Sequence, residues 1–238
     1  MRRFTMAAAF ALLMAGCGDD SAVTTTQPAT TTTTTAAEPT TTTAASTADL
    51  LAGLRTRVAD LDPDAEPTTT TTEPISGPDI GYTEYTIVTD DSGLIEVSVP
   101  VEWFDLIGLP WQEGETLIGP GLLVARDAEA WVVEWGTPGV FIGASDQLVD
   151  TADTLLDTKR WDSSCSYEGR DAYDDGLYVG VFDLYYDCGD EKSVFIVIAA
   201  EPPDGSFVVL VEIVVVTEAD LEAADTIIRT WQVYGVDF

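Results

Sequence analysis

Two long apolar runs near the carboxyl end of the chain indicate where the core lies. Residues 193–200 and 207–216 are apolar at both odd and even positions, interrupted mainly by Glu212. Because side chains alternate between the two faces of a strand, such runs predict strands covered on both faces. The link EPPDGS between them is typical of a hairpin loop. We therefore expect these strands at the centre of a sheet.

Shorter patterns predict further strands around this centre. Ile95, Val97 and Val99 alternate with polar residues after a turn at 90–93, as in a strand with one buried face. Residues 122–125 and 140–144 also form apolar runs of strand length. The triplet DDG at 174–176 separates two strand-like runs and is a strong hairpin signal. These patterns predict a mainly antiparallel sheet.

Capping residues and apolar spacing predict three helices. Asp127 can cap a helix over residues 128–135, and Asp146 can open a second one. Thr217 precedes the sequence EADLEAADTIIRTWQV, whose acidic first turn and late arginine suit the helix dipole. Strands covered on both faces need layers on both sides. The predicted fold class is therefore α+β, with a mainly antiparallel central sheet and helices on both faces, an α/β/α sandwich.

The amino end of the chain has the layout of an export signal. Arg2 and Arg3 form a basic start, and residues 4–15 are an apolar stretch of about a dozen residues. A membrane-spanning helix needs roughly 20 apolar residues, so this stretch is too short to remain as an anchor by itself. The chain is therefore expected to be exported.

The end of this signal carries a cysteine in a distinctive setting. Residues 13–17, LMAGC, resemble the lipobox of bacterial lipoproteins, with Met14 where leucine is the commonest residue. The resemblance implies cleavage between Gly16 and Cys17 and attachment of lipid to the Cys17 thiol. Residues 1–16 are then a lipoprotein signal peptide. The alternative is an ordinary secretory signal whose cysteine is incidental.

Composition divides the rest of the chain into a linker and a domain. Residues 17–79 are rich in Thr, Pro and Ala, a composition that predicts a disordered linker because it offers little with which to build a core. Within it, residues 47–61 carry leucines and a valine at helical spacing. The short helix so predicted either docks on a partner or forms only transiently, since isolated helices of about 12–15 residues are marginal in water. Residues 80–238 are long enough for one globular domain.

Composition and charge also narrow the function. The chain has no histidine, which removes the Ser-His-Asp triad, Cys-His proteases and imidazole-bound zinc. It has 42 acidic and 10 basic residues, a formal net charge of −32, so nucleic acid is not an expected partner because its phosphates would be repelled. An acidic surface can attract cations or basic partners, but it more simply keeps a tethered protein soluble. We expect no enzyme activity and no cofactor.

The three cysteines divide into a single residue and a pair. If Cys17 carries lipid, Cys165 and Cys188 remain to form a disulfide, as an oxidising compartment permits. Folding the chain at the 174–176 turn brings these two residues opposite each other. The sequence therefore predicts a Cys165–Cys188 bond.

Several short motifs resemble parts of catalytic or metal sites, and each has a simpler interpretation. The triplet DSG at 91–93 copies the aspartic-protease motif, but it occurs once and fits a turn. Acidic residues at 174–175 and 187–191 offer oxygen ligands for calcium without EF-hand spacing, and fit a hairpin turn and a solvated loop. Residues 143–146 lack the second glycine of a serine-nucleophile motif. No catalytic residue and no metal ligand is assigned.

Tryptophans are the candidates for a binding surface. Most large aromatic side chains belong to a core, and this is expected for Trp131 and Trp135. Trp103 follows the end of a predicted strand, and Trp111 lies in a loop rich in Gly and Pro. Trp103 and Trp111 are therefore the candidate binding residues.

Two stretches of the domain resemble a known family. Residues 90–105, DDSGLIEVSVPVEWFD, and the strand and helix of 207–233 resemble the PsbP-like fold of LpqN-type actinobacterial lipoproteins, over residues 83–234. The resemblance implies a non-catalytic binding or adaptor module. The expected protein is an extracytoplasmic lipoprotein, held at the outer face of the cell membrane by lipid on Cys17, whose partner is an envelope protein or wall polymer. The alternative is a carrier of a small apolar ligand or a cation in a pocket of the sandwich.

Overall fold

A computed structural model describes residues 81–108, 110–148 and 151–236. The predicted signal peptide, linker and short helix lie outside these ranges. The described residues form strands β1 (Tyr85–Thr89), β2 (Ile95–Pro100), β3 (Asp105–Ile107), β4 (Trp111–Glu113), β5 (Thr116–Gly119), β6 (Gly121–Ala125), β7 (Gly139–Ser145), β8 (Ser166–Asp174), β9 (Val179–Cys188), β10 (Ser193–Glu201), β11 (Val208–Val215) and β12 (Gln232–Val233). Their helices are α1 (Ala128–Val133), α2 (Ala152–Thr158) and α3 (Glu218–Thr230).

Seven strands form the central sheet, in the order β3-β6-β7-β11-β10-β9-β8. Each pair of neighbours in it is antiparallel, which confirms the mainly antiparallel sheet. The two strands with the longest apolar runs lie inside the sheet, where Val194 pairs with Val215 and Ala200 with Val209. The central position predicted for them is therefore confirmed.

Strands β10 and β11 bury side chains on both of their faces. Ile196 and Ile198 belong to one apolar cluster, which includes residues of β2 and of helix α3. Phe195 and Val197 belong to a second cluster, which includes residues of helices α1 and α2. Full burial of one such side chain stabilises the fold by about 1.5–3 kcal/mol. The two clusters therefore hold the covering elements against the sheet.

The first hairpin of the domain is part of a cover and not of the central sheet. β1 and β2 pair antiparallel and form a separate three-stranded sheet with β12, in the order β1-β2-β12. Ile95, Val97 and Val99 are fully buried in the first cluster, so the predicted single buried face of this strand is confirmed. The sequence pattern did not indicate to which sheet the hairpin belongs.

The helices begin and end where their backbone groups find partners. Asp127 is the N-cap of α1 and accepts the Ala130 N–H at 2.9 Å, as predicted. The helix ends at Val133 and not at 135, because the backbone of Glu134 is extended. Helix α3 starts with a reciprocal capping box between Thr217 and Asp220. None of the described helices combines the length and apolar character needed to span a membrane.

The second predicted helix begins later than expected. Asp146 does not cap it, since α2 starts at Ala152 with Thr151 as its N-cap. Ser145 accepts the backbone N–H of Gln147 at 3.1 Å, which gives the chain a turn directly after β7. That local hydrogen bond competes with helix formation at this point.

A disulfide joins Cys165 and Cys188, in agreement with the predicted pair. Cys165 lies immediately before β8, and Cys188 ends β9, so the bond closes the open end of this hairpin. At the other end, the Asp174 carboxylate accepts the Gly176 N–H at 2.9 Å, and the turn lies where the sequence predicts it. The hairpin is thus fastened at both ends.

Several tyrosines are buried with their hydroxyl groups hydrogen-bonded. Tyr173 donates to Asp175 at 2.7 Å and accepts the indole N–H of Trp231 at 3.1 Å. Tyr178 stacks on Trp231 with ring centroids 4.2 Å apart. Burial raises the pKa of Tyr173 and of Tyr185, because an ionised phenolate is poorly solvated inside the protein. These tyrosines therefore stay neutral at pH values at which exposed tyrosines ionise.

This burial predicts that the fold loses stability in alkali. A tyrosine whose pKa is raised in the folded state favours folding below its unfolded pKa of about 10, and that contribution is lost as pH rises further. The free energy of unfolding, measured with denaturant from pH 8 to 11, should be constant at first and then fall. A constant value up to pH 11, or titration of all tyrosines near pH 10 in the folded protein, would contradict the burial.

Removal of the disulfide should destabilise the domain. The bonded residues are 23 positions apart, and a loop of this size contributes about 3 kcal/mol in the chain-entropy model. The Cys165→Ser/Cys188→Ser variant should lose roughly this much free energy of unfolding. Thiol titration of the unreduced protein should also find neither cysteine free. Reactive thiols at these positions before reduction would show that the bond does not form.

Candidate binding surface

The two edge strands of the central sheet are protected to different degrees. On β8, the exposed residues Glu168, Asp171 and Asp174 place charge along the edge. A β-bulge between Tyr167 and Gly169 further interrupts the pairing pattern of this strand. Charges and bulges are the usual means by which an edge is prevented from pairing with another chain. The β8 edge is therefore poorly suited to binding.

Tyr167, Leu177 and Val179 of the β8–β9 hairpin are exposed, and the opposite side of the domain also exposes large apolar side chains. Phe104, immediately before edge strand β3, is 79% exposed, and Ile87 on edge strand β1 is 64% exposed. Val101, Leu106 and Ile107 are also exposed. We call these last five residues the edge surface. Exposed apolar residues are common singly, but a group of them on adjoining elements is typical of an interaction site.

Two backbone hydrogen bonds bring these residues to one side of the domain. The Val101 N–H donates to the Glu84 carbonyl at 3.1 Å, before β1 begins. The Asp91 N–H donates to the Gly108 carbonyl at 3.2 Å, after β1 and β3 have both ended. The segments 84–91 and 101–108 therefore meet at both ends. Phe104, Leu106 and Ile107 lie between those ends in the sequence.

Trp103, one of the two predicted binding residues, is not part of the exposed surface. Its side chain is only 1% exposed and belongs to the first apolar cluster. The indole N–H donates to the Tyr82 hydroxyl at 3.1 Å, and the two rings pack edge to face at 6.1 Å. A turn in which the Trp103 N–H donates to the Pro100 carbonyl directs the indole inward. The exposed aromatic residue is its neighbour Phe104.

Trp111, the other predicted binding residue, is also buried. It is 5% exposed and lies in strand β4, which pairs with β5 in a hairpin that the sequence did not predict. Its ring packs edge to face on Phe141, with centroids 6.1 Å apart, and closely covers Gly143. A Cβ at Gly143 would lie 2.7 Å from the indole, so the glycine makes room for it. Trp111 therefore fastens the β4–β5 hairpin to the sheet.

Tyr82 connects the start of the described chain to the domain behind the edge surface. Its hydroxyl donates to Asp220 at 2.5 Å and accepts from Arg126 at 2.7 Å. Burial and the hydrogen bond to the Asp220 carboxylate raise the pKa of Tyr82 to about 12. Trp103, the residue before Phe104 in the sequence, also donates to this hydroxyl.

The edge surface is flanked by carboxylates. Glu84, Asp91 and Glu102 are exposed, and none of them takes part in a salt bridge among the residues that the structure describes. Lys159, Arg160, Arg170 and Arg229 form salt bridges elsewhere, and Arg170 donates to the buried Asp183 at 2.8 Å and 2.9 Å. The surface is thus apolar at its centre, with three exposed carboxylates near it and the exposed Arg126 at the end of the neighbouring strand β6. Such a surface suits a partner that is apolar with basic flanks.

The short motifs considered as catalytic form turns. Asp90, which is buried, accepts the backbone N–H groups of Ser92, Leu94 and Ile95, and this defines the turn at 90–94. The hydroxyl of Ser145 is buried and donates to the Ile118 carbonyl. Both positions therefore have structural roles.

The acidic motifs considered for calcium do not form a coordination site. At the β8–β9 turn, Asp175 accepts the N–H groups of Leu177 and Tyr178 at 2.8 Å. Across the described ranges, no three Cys, Asp or Glu side chains are arranged to hold a metal ion.

A cleft near one end of the sheet is the candidate pocket for a carried ligand. It has a volume of about 190 Å³ and is open to solvent. Ser145, Thr151 and Glu201 contribute polar groups to its lining, together with the apolar Phe207 and Val208. Glu201 accepts the Ala152 N–H at 2.9 Å and is thus engaged in holding helix α2. The cleft is small and not the deep apolar cavity that a carrier of apolar ligands requires.

The residues predicted for lipid attachment and signal cleavage, Cys17 and Gly16, lie outside the described residues. Their roles stay predictions from the sequence.

No family model and no curated protein matches the chain. Among solved structures, the solution structure of cyanobacterial PsbP (CyanoP) from Synechocystis sp. PCC 6803 is similar, with a TM-score of 0.36 and 14% sequence identity. The match covers 67% of this chain and 98% of that chain. A PsbP domain is thus among the structural neighbours of this chain.

Proposed function

We propose that the protein is a membrane-anchored cell-surface lipoprotein of the LpqN type, whose domain is a non-catalytic binding module. The anchor is supported by the lipobox-like sequence ending at Cys17 and by the Thr- and Pro-rich stretch that follows it. With acyl chains on Cys17, the domain stands on the outer face of the membrane. Two or three such chains suffice for stable anchoring, because each buried methylene contributes about 0.8 kcal/mol.

The observation that carries the binding role is the edge surface. Five exposed apolar side chains on two edge strands and the turn between β2 and β3 are retained in a chain of strongly acidic composition. An apolar surface of aliphatic side chains and one phenylalanine suits a protein partner better than a polysaccharide, whose hydroxyl groups need hydrogen bonds. The partner that we propose is therefore an envelope protein with an apolar contact surface and basic flanks.

The apolar clusters of the domain give the edge surface a packed support. Helix α3 shares the first apolar cluster with β2, and helices α1 and α2 share the second cluster with the other face of β10. These contacts support the proposal of a PsbP-like sandwich with helices on both faces. A binding surface on such a scaffold loses little conformational entropy when a partner docks.

The lipid anchor predicts a change in location on mutation. The Cys17→Ser variant has no thiol for acylation, so it should appear in the culture medium, whereas the unaltered protein stays with the membrane fraction. The Cys17→Ala variant repeats the test with a side chain that has neither a thiol nor the hydroxyl group of serine. Retention of both variants in the membrane fraction, measured by fractionation and immunoblotting, would contradict the anchor.

The binding role predicts that one exposed residue controls partner contact. Chemical crosslinking on intact cells should give a specific adduct with an envelope protein, and Phe104→Glu should reduce it about tenfold, as the loss of an interface aromatic costing at least 1.4 kcal/mol would. Because Phe104 is exposed, the change should leave the free energy of unfolding within about 0.5 kcal/mol.

Leu177→Glu is the matched control for this experiment. Leu177 is 53% exposed at the tip of the β8–β9 hairpin, next to the protected edge of the sheet. This variant should keep the adduct. Equal loss of the adduct in both variants, or no loss in Phe104→Glu, would show that the edge surface does not bind the partner.

A further inference from the structure

We infer that the edge surface has an internal occupant, the leucine-rich segment 47–61 of the same chain, which competes with the partner. The competition rests on the proposed function, whereas the docking itself does not. Three observations carry the inference: the place where the chain enters the domain, the pattern of apolar and basic residues in the segment, and the carboxylates around the edge surface.

The chain enters the domain beside the edge surface. Tyr82, one residue after the start of the described chain, bonds to Trp103 and Asp220. Residues 62–80 separate the segment from this point. Random-coil scaling of about 5–6 Å times the square root of length gives this stretch a typical span of roughly 22–26 Å. The segment can therefore reach Phe104 without any extension of the linker.

The segment 47–61 contains the apolar residues that are needed to cover the edge surface. Its leucines and valine recur at helical spacing and, in a helix of about 3.6 residues per turn, would lie along one stripe. An isolated helix of this length is marginal in water, so an apolar surface that covers the stripe would stabilise it. The stripe residues are Leu50, Leu51, Leu54, Val58 and Leu61.

Charge complementarity favours this segment over other occupants. The segment carries two arginines and two aspartates. In a helix, Arg55 and Arg57 would flank the apolar stripe on its two sides, and Asp49 and Asp60 would lie on the side away from it. The edge surface is flanked by Glu84, Asp91 and Glu102. A second copy of the chain would instead bring together two molecules that each carry a net charge of −32, which disfavours its approach.

Because the linker holds the segment near the edge surface, even a weak intrinsic affinity keeps the segment docked most of the time. A short flexible linker gives the segment an effective concentration in the millimolar range, so an intrinsic dissociation constant near 0.1 mM would leave it docked about ten times as often as free. An external partner must then bind about tenfold more tightly to displace it. The segment would act as an intramolecular competitor.

Hydrogen–deuterium exchange on the full-length Cys17→Ser protein tests the docking. Leu54→Asp removes an apolar residue from the stripe, and Ala52→Asp adds the same charge on the opposite side of the helical pattern. Amides of residues 103–108 should exchange about five- to tenfold faster in Leu54→Asp than in the parent, and at the parent's rate in Ala52→Asp.

Three results would overturn the docking: equal exchange in Leu54→Asp and the parent, equal acceleration in both variants, or protection that disappears on dilution, which would identify a second copy as the occupant. The crosslinking experiment with Phe104→Glu separates this inference from the proposed function. Loss of the partner adduct together with unchanged exchange overturns the docking alone. Stripe-dependent exchange with an unaltered adduct supports the docking and overturns the partner site.

Discussion

Burial of β10 and β11 on both faces is the constraint on which the rest of the domain depends. Consecutive residues such as Ile196 and Val197 are both fully buried, although their side chains point to opposite faces of the sheet. One cover is therefore insufficient. The first apolar cluster contains residues of β2, β12 and α3, and the second contains residues of α1, α2, β4 and β5. Most remaining elements of the domain are thus explained as covers.

The central sheet has two edge strands, β3 and β8, and the side chains along these two edges differ in character. The β8 edge carries carboxylates and a bulge, whereas the β3 side exposes Phe104 and Ile107. An exposed apolar edge is a liability for aggregation unless something covers it or repels other copies. The net charge of −32 supplies the repulsion between copies. The exposed apolar side chains then fit the proposed role in recognition.

Elements that depend on residues close together in the sequence could be predicted from it, whereas the exposed apolar edge surface could not. The apolar runs of β10 and β11, the Asp127 and Thr217 caps and the DDG turn all act through neighbouring residues. Trp103, predicted as a binding residue, is buried. Its position has the same parity as the buried Val97 and Val99, but the exposed Val101 between them shows that the alternation does not continue past Pro100. Only tertiary structure shows which of two adjacent aromatic residues is buried, since both are equally apolar in sequence.

A photoreactive amino acid in place of Phe104 gives the most direct measure of whether this side of the domain binds a partner. On intact cells, irradiation should attach one envelope protein to position 104, identified by mass spectrometry, while the same amino acid at Leu177 should not attach it. Identical adducts from both positions, or none from position 104, would contradict the assignment of the edge surface as the site of recognition.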